Sequence, residues 1–267
     1  MASYTTIKLS FQNPVATITL HRPDVHNAIN LEMIREIRRA IDSLEKDPDV
    51  RIILLRSSGA HFSAGADLNW MKQGMDQSEQ QLKEESLELA GLFETIYACP
   101  MVTVAAVHGK AIGGAVGLVA ASDIAIADDT ALFAFAEVRL GLIPATIAPY
   151  IHRKIGSSRS RELMLTGRTF DAIEAYEAGL VHRLCKPDGL DRSLEELTGL
   201  LQAGGGEAMT GIKELMRYLE GHPDARNLPE KTAGLIAKFR TSEEGQEGMN
   251  AFLEKRRARW MNQKKTE

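Results

Sequence analysis

The chain has 267 residues, 44% of them hydrophobic and 25% charged, with a net charge of −4 at pH 7. Length and apolar content suffice for a large packed core, while the slight acidity excludes bulk nucleic-acid binding, whose footprint is a basic surplus. The two cysteines, Cys99 and Cys185, lack paired or Cys-x-x-Cys spacing; they predict no disulfide framework and no metal site, and fit a reducing cytoplasm.

In chain order, the opening residues MASYTTIKLS show no basic region followed by an apolar segment, so they do not read as a signal peptide. VATITL at 15–20 reads as a strand ended by HRPD. Leu31, Ile34, Ile37, Ile41 and Leu44 recur at spacings of three and four, which predicts an amphipathic helix. IILLR at 52–56 is a short apolar run, hence a buried strand. Leu82, Leu89, Phe93, Ile96 and Tyr97 mark a second helix, with Pro100 as its stop signal. MVTVAAV at 101–107 and IAIA at 124–127 read as two further strands. The apolar stretch 101–127 is interrupted by His108, Lys110, Asp123 and several glycines, so it is no membrane span. Strands alternating with helices predict an α/β body with largely parallel strands. Beyond about residue 160 the strand signals fade, and RSRELMLTG, DAIEAYEAGL, GIKELMRYLE and EGMNAFLEKRRARW all read as helical. The triple glycine 204–206 reads as a linker; no Lys-Ser or Lys-Thr follows it, so it is no phosphate loop. The expected division is a body over 1–195 and a helical C-terminal region over 196–267.

Three stretches are able to carry chemistry. HFSAGADL at 61–68 follows a strand and uses Ala64, Gly65 and Ala66 to let the backbone approach a ligand. HGKAIGGAVGL at 108–118 does the same after a second strand. Two such loops aim two backbone N–H groups at one point, which is the geometry of an oxyanion hole. FAEVRLGLIP at 135–144 places Glu137 among apolar neighbours, where desolvation raises a carboxyl pKa and suits it to acid–base work. Each stretch has a plainer reading. The loops serve as turns, Glu137 as a surface acid or a partner of Arg139, and Asp67 as the N-cap of a helix begun by DLNWMKQ. The histidines show no metal-ligand spacing, and no Gly-x-Ser-x-Gly elbow is present, which argues against a serine triad.

The ordered set ITLHRPDVHNAI, HFSAGADL, VHGKAIGGAVGLVAASDIAIA, FAFAEVRLGLIP and DAIEAYEAGLVHRL resembles the crotonase superfamily of enoyl-CoA hydratases and isomerases over nearly the whole chain. The resemblance implies an α/β fold: a spiral of β-β-α turns with C-terminal helices that build a homotrimer, often paired into a hexamer. It implies an acyl-CoA thioester as substrate, no separate cofactor and no metal, with coenzyme A part of the substrate. The N–H groups of Ala66 and Gly114 would form the oxyanion hole. His26, Ala28, Ala64, Ala66, Asp67 and Leu68 would lie along the coenzyme A, with Gly114, Gly117, Glu137, Arg139 and Gly141 around the acyl group. Family hydratases carry two glutamates, and here Gly117 replaces the first, leaving only Glu137. A void at Gly117 would then admit a branched acyl group, and a side chain on Gly114 would occupy the oxyanion site. The segments 115–127 and 135–151 resemble most the bacterial 3-methylglutaconyl-CoA and isohexenylglutaconyl-CoA hydratases, whose substrates carry a second carboxylate. Arg139, two residues beyond Glu137 on an extended segment, would share its face and hold that carboxylate, or else support a subunit contact. The expected activity is hydration of a branched enoyl-CoA in the cytoplasm, 3-methylglutaconyl-CoA of leucine degradation first, with a double-bond isomerase, a hydratase for isohexenylglutaconyl-CoA or a fatty enoyl-CoA, or a non-catalytic acyl-CoA-binding protein as alternatives. The basic residues Lys255, Arg256, Arg257 and Arg259 would hold phosphates or form a solvated helix face.

Overall fold

The computed structural model describes residues 4–222 and 226–261. It opens with the hairpin β1 (Ile7–Gln12) and β2 (Val15–Leu20), followed by α1 (Leu31–Leu44), β3 (Ile52–Ser57), α2 (Leu68–Gly74) and α3 (Glu79–Ala98). Then come β4 (Val102–Val107), β5 (Lys110–Ile112), α4 (Gly114–Ala121), β6 (Ile124–Asp128) and β7 (Leu132–Ala134). The rest comprises α5 (Ala148–Thr166), β8 (Thr169–Asp171), α6 (Ala172–Glu177), β9 (Arg183–Cys185), α7 (Leu190–Ala203), α8 (Gly206–Gly221), α9 (Leu228–Thr241) and α10 (Glu243–Leu253).

Six strands form the main sheet in the order β1-β2-β3-β4-β6-β9. Only the β1–β2 pair in it is antiparallel; every later neighbour is parallel. A second sheet has the order β5-β7-β8. Two single bridges, Ile29 to Ala66 and Ser63 to Ala111, continue it on the β5 side. The short segments at 29, 63–66, β5 and β7 thus neighbour one another in the same order as β2, β3, β4 and β6. Each turn of chain lays one strand in the main sheet, one short segment in the second layer and then a helix. This is the expected crotonase-type α/β spiral, and the C-terminal helices follow it.

Parallel strands covered on both faces read as continuous apolar runs, and β4 is buried at all six positions. One core cluster joins the spiral interior to α1, α3, α4 and α5; a second lies under α7, where Leu190, Leu194 and Leu197 meet Ile52, Val104 and Ile126. The helix read from Leu31 to Leu44 forms with those bounds, N-capped by Asn30, and buries Met33, Ile34, Ile37, Ala40, Ile41 and Leu44. α3 begins on a Ser78–Gln81 capping box, ahead of Leu82, the first residue of the expected helix, and ends at Ala98 before Pro100.

Several expectations change. Strands do recur after residue 160, as β8 and β9, each only three residues long; such strands are too short to show a period of two. β1 escaped notice because only its first residue is buried. The division expected at 195–196 falls inside α7, whose apolar face completes the second core. The break in the chain is instead at Gly204–Gly205, between α7 and α8. The last helical stretch stops at Leu253, so the basic residues lie beyond it, and Lys255 has a left-handed φ of 54°.

Candidate active site

Short-range ladder bonds bring the three predicted stretches together. Ser63 N–H donates to the Lys110 carbonyl at 3.0 Å and Ile112 N–H to the Ser63 carbonyl at 3.1 Å, which locks the first loop to the second. Gly113 N–H donates to the Ala134 carbonyl at 2.8 Å, which ties the second loop to the strand leading into Glu137. Ile29 N–H donates to Gly65 O at 2.7 Å, and Asp67 N–H donates to Ile29 O at 2.9 Å. In a parallel bridge the residue between those two partners turns its own N–H away from the pairing strand. That residue is Ala66. Gly114 opens α4, so its N–H lacks an intrahelical acceptor, and Gly113 offers no side-chain cap. Among the described residues neither the Ala66 nor the Gly114 N–H has a hydrogen-bond partner. Both expected oxyanion donors are therefore free.

Glu137 sits on a 3-10 turn, Ala136–Leu140, closed by Gly141 at φ 71° and by Leu142 N–H donating to the Glu137 carbonyl at 3.0 Å. Its Oε2 is buried with no hydrogen-bond partner among the described residues. Burial holds the carboxyl above its ordinary range, because removing water penalises the charged form. Gly113 explains how the carboxyl comes so close. A Cβ there would stand 2.9 Å from Glu137 Oε1, and Gly113 has φ 55° and ψ −120°, a region reserved for glycine. Of the two adjacent glycines, Gly113 is the one the backbone demands. A Cβ on Gly114 would make ordinary contacts, 3.6 Å from Ile29 Cδ1 and 3.9 Å from Phe93 Cζ. The expectation that any side chain at Gly114 fills the oxyanion site is corrected accordingly: its first carbon points toward packed hydrocarbon.

The void expected at Gly117 is absent. A Cβ at Gly117 would lie 2.3 Å from Ile147 Cγ2 and 2.7 Å from Phe93 Cε1. Gly117 is a buried packing glycine inside α4, sealed by two apolar side chains. Arg139 is corrected as well. Its segment is a 3-10 turn with three residues per revolution, not extended chain, so residues two apart do not share a face. Arg139 is exposed, and its Cγ runs beside Gly167.

Among residues expected along coenzyme A, Ala64 N–H donates to the His26 carbonyl at 2.9 Å, which couples that turn to the first loop. His26 is left-handed at φ 53° and exposed, whereas Ala28 is buried. Ala64, Ala66 and Leu68 are exposed, Leu68 by 73%. Asp67 does cap α2, accepting from Asn69 and Trp70 N–H, and it also pairs with Arg22 at 2.8 Å. The Arg22 and α2 contacts hold its carboxyl below the ordinary range against the opposing effect of burial. Sequence reasoning missed Arg22 and Asn27. The Asn27 side chain accepts from Arg22 N–H and donates to the Ser58 and His61 carbonyls, pinning the turn to the loop after β3. Its full burial was the unseen signal. In the basic cluster, Arg256 and Arg259 both pair with Glu247, at 2.7 Å and 3.1 Å. These two are committed to an internal carboxylate. Among the described residues, no group of three His, Cys, Asp or Glu gathers as a metal site, and no helix is long and apolar enough to cross a membrane.

Comparison with known proteins settles the family. A profile described as enoyl-CoA hydratase/isomerase matches residues 10–263. The chain belongs to the enoyl-CoA hydratase/isomerase family. Among solved structures of this crotonase fold it is similar to an enoyl-CoA hydratase of Shewanella pealeana, with 39% identity, TM-score 0.93 and 96% of each chain covered. It is also similar to AtuE of Pseudomonas aeruginosa, with 34% identity, TM-score 0.93, and 97% of this chain and 100% of that one covered. A trans-2-decenoyl-[acyl-carrier-protein] isomerase of Streptococcus mutans is 30% identical over 95% of this chain and 97% of its own length. The protein is thus an enzyme of the hydratase type, a carbon–oxygen lyase by family.

Proposed function

We propose that the protein adds water reversibly across the α,β double bond of an acyl-CoA thioester. The free N–H groups of Ala66 and Gly114 would receive the thioester oxygen and stabilise the negative charge that develops on it. Glu137 would carry the proton to or from the α carbon and orient the attacking water. The observation that carries this reading is the buried, unpartnered Oε2 of Glu137. A native protein leaves such an atom unsatisfied at a cost, and a reacting group beside it supplies the missing partner.

For the acyl group the reading carries 3-methylglutaconyl-CoA, which rests on the likeness of segments 115–127 and 135–151 to hydratases of that substrate. A void at Gly117 and a cation at Arg139 no longer support it. A homotrimer or hexamer belongs to the same reading on the family resemblance, and a cytoplasmic location on the two unpaired cysteines. Isomerisation is a second reading with an observation of its own: among the described residues Glu137 is the carboxyl that meets the backbone at Gly113, and moving a proton between two carbons needs no second one.

The test is incubation with 3-methylglutaconyl-CoA, crotonyl-CoA and a longer straight enoyl-CoA, followed by mass spectrometry for a gain of water and by NMR for a moved double bond. Gain of water supports the hydratase. A moved double bond without water selects the isomerase, and binding with neither leaves a carrier protein. Glu137→Gln keeps the shape and removes the proton, and should cut turnover by roughly 10²- to 10⁴-fold. A variant retaining a tenth of parental activity would remove Glu137 from the chemistry.

A further inference from the structure

The side of α4 that faces away from solvent is closed by residues from three distant parts of the chain. Ile29 precedes α1, Phe93 lies in α3, and Ile147 is the residue before α5. Each is at most 1% exposed. The Phe93 ring edge spans a full helical turn. Its Cζ lies 3.9 Å from a Cβ placed on Gly114 and 2.9 Å from one placed on Gly117. Ile147 Cγ2 fills the remaining space at Gly117. The Glu137 carboxyl meets the same backbone one residue earlier, at Gly113.

We infer that Phe93 and Ile147 form an apolar plug that limits how far an acyl group reaches past Glu137, which makes them specificity-determining residues. The inference rests on the acyl-CoA reading above. The physical reasoning is steric and solvational. A packed core tolerates no extra methylene without displacement, so an acyl chain cannot extend toward α4 while both side chains are present. Nor does a second carboxyl group or an ordered water fit there, since hydrocarbon offers neither room nor a polar partner.

The test is calorimetric titration of the full chain and of Ile147→Ala with butyryl-, pentanoyl-, hexanoyl- and isovaleryl-CoA, saturated thioesters that cannot react. Removing the Ile147 methyls should improve binding of the longer and branched thioesters relative to butyryl-CoA, by about four-fold for each methylene newly buried. Should Ile147→Ala fail to fold, Phe93→Leu, which removes the ring edge beside Gly114 and Gly117, carries the same readout. An unchanged ratio among the thioesters, with all of them weakened alike, overturns the plug and makes the two residues plain core. A parent chain that binds none of the four overturns the acyl-CoA reading itself, and the plug with it.

Discussion

The two ends of α4 are treated in opposite ways. At its C-terminal end Ser122 Oγ donates to the Leu118 carbonyl at 2.8 Å, and Lys154 Nζ reaches over from α5 to the carbonyls of Val119 and Ser122. The negative end of the helix is thus met by a cation. At its N-terminal end no side chain caps the helix, and the Gly114 N–H is left without a partner among the described residues, as is the Ala66 N–H. One eight-residue helix has a terminus that is satisfied internally and a terminus that is left open. The first satisfies its polar groups internally. The second leaves them unpaired, and the Glu137 carboxyl, with its orphaned oxygen, lies against Gly113 just before it; on the proposed function a thioester would fill that place.

The strongest way to break this contrast is at the open end. Gly113→Ala puts a methyl against the Glu137 carboxyl and forces a forbidden backbone region. Turnover should fall at least a hundred-fold, the scale on which loss of one oxyanion donor acts, whereas Gly114→Ala should retain a tenth or more. Steady-state kinetics of the pair decides the point, and equal losses would show that Gly114 is the constrained position.

At the closed end, burial lowers the Lys154 pKa from 10.5 to about 8, with Asp123 opposing. The sign follows from proton counting. Between pH 8 and 10.5 the unfolded chain binds more protons at this lysine than the folded one, so its contribution to stability rises with pH across that window. The full swing is up to ~3 kcal/mol. Denaturant titrations should show this slope in the parent and not in Lys154→Met; parallel pH profiles would deny that the ammonium is buried against the carbonyls.

In the middle of the helix, Gly117→Ala should destabilise the protein by about 1–3 kcal/mol through overpacking against Ile147 and Phe93. Thermal melts of Gly117→Ala in the parent and in Ile147→Ala backgrounds should show part of the cost relieved in the second. Equal costs in both would mean that the helix shifts rather than clashes. The smallest effect is on stability at Glu137. Its folded pKa is raised above 4.5, so its charging costs stability as pH rises from 4.5 through the folded value. Glu137→Gln should therefore melt higher than the parent at pH 8 and lose that advantage by pH 4.5, and a lower melting temperature at pH 8 would contradict the burial of the carboxyl.

Sequence by itself determined much of this protein. Periodicity marked α1 to its last residue, because six apolar side chains on one face repeat at helical spacing. Apolar runs marked β3, β4 and β6, since strands covered on both faces show no polar alternation. Small residues after two of those strands marked two loops, one acid in an apolar segment marked Glu137, and the family resemblance singled out Ala66 and Gly114 within the loops. Those signals are local, carried by a few adjacent residues. What only the tertiary structure decided was which side chains meet across the chain. The content of the Gly117 position depends on Phe93 and Ile147, 24 residues before it and 30 after it, and no local pattern announces that they converge. The Asp67 carboxylate found Arg22, 45 positions away, and the segment at Arg139 curled into a 3-10 turn that no spacing foretold. A missing side chain in a sequence says that a space is available; packing at crystal-like density decides what fills it.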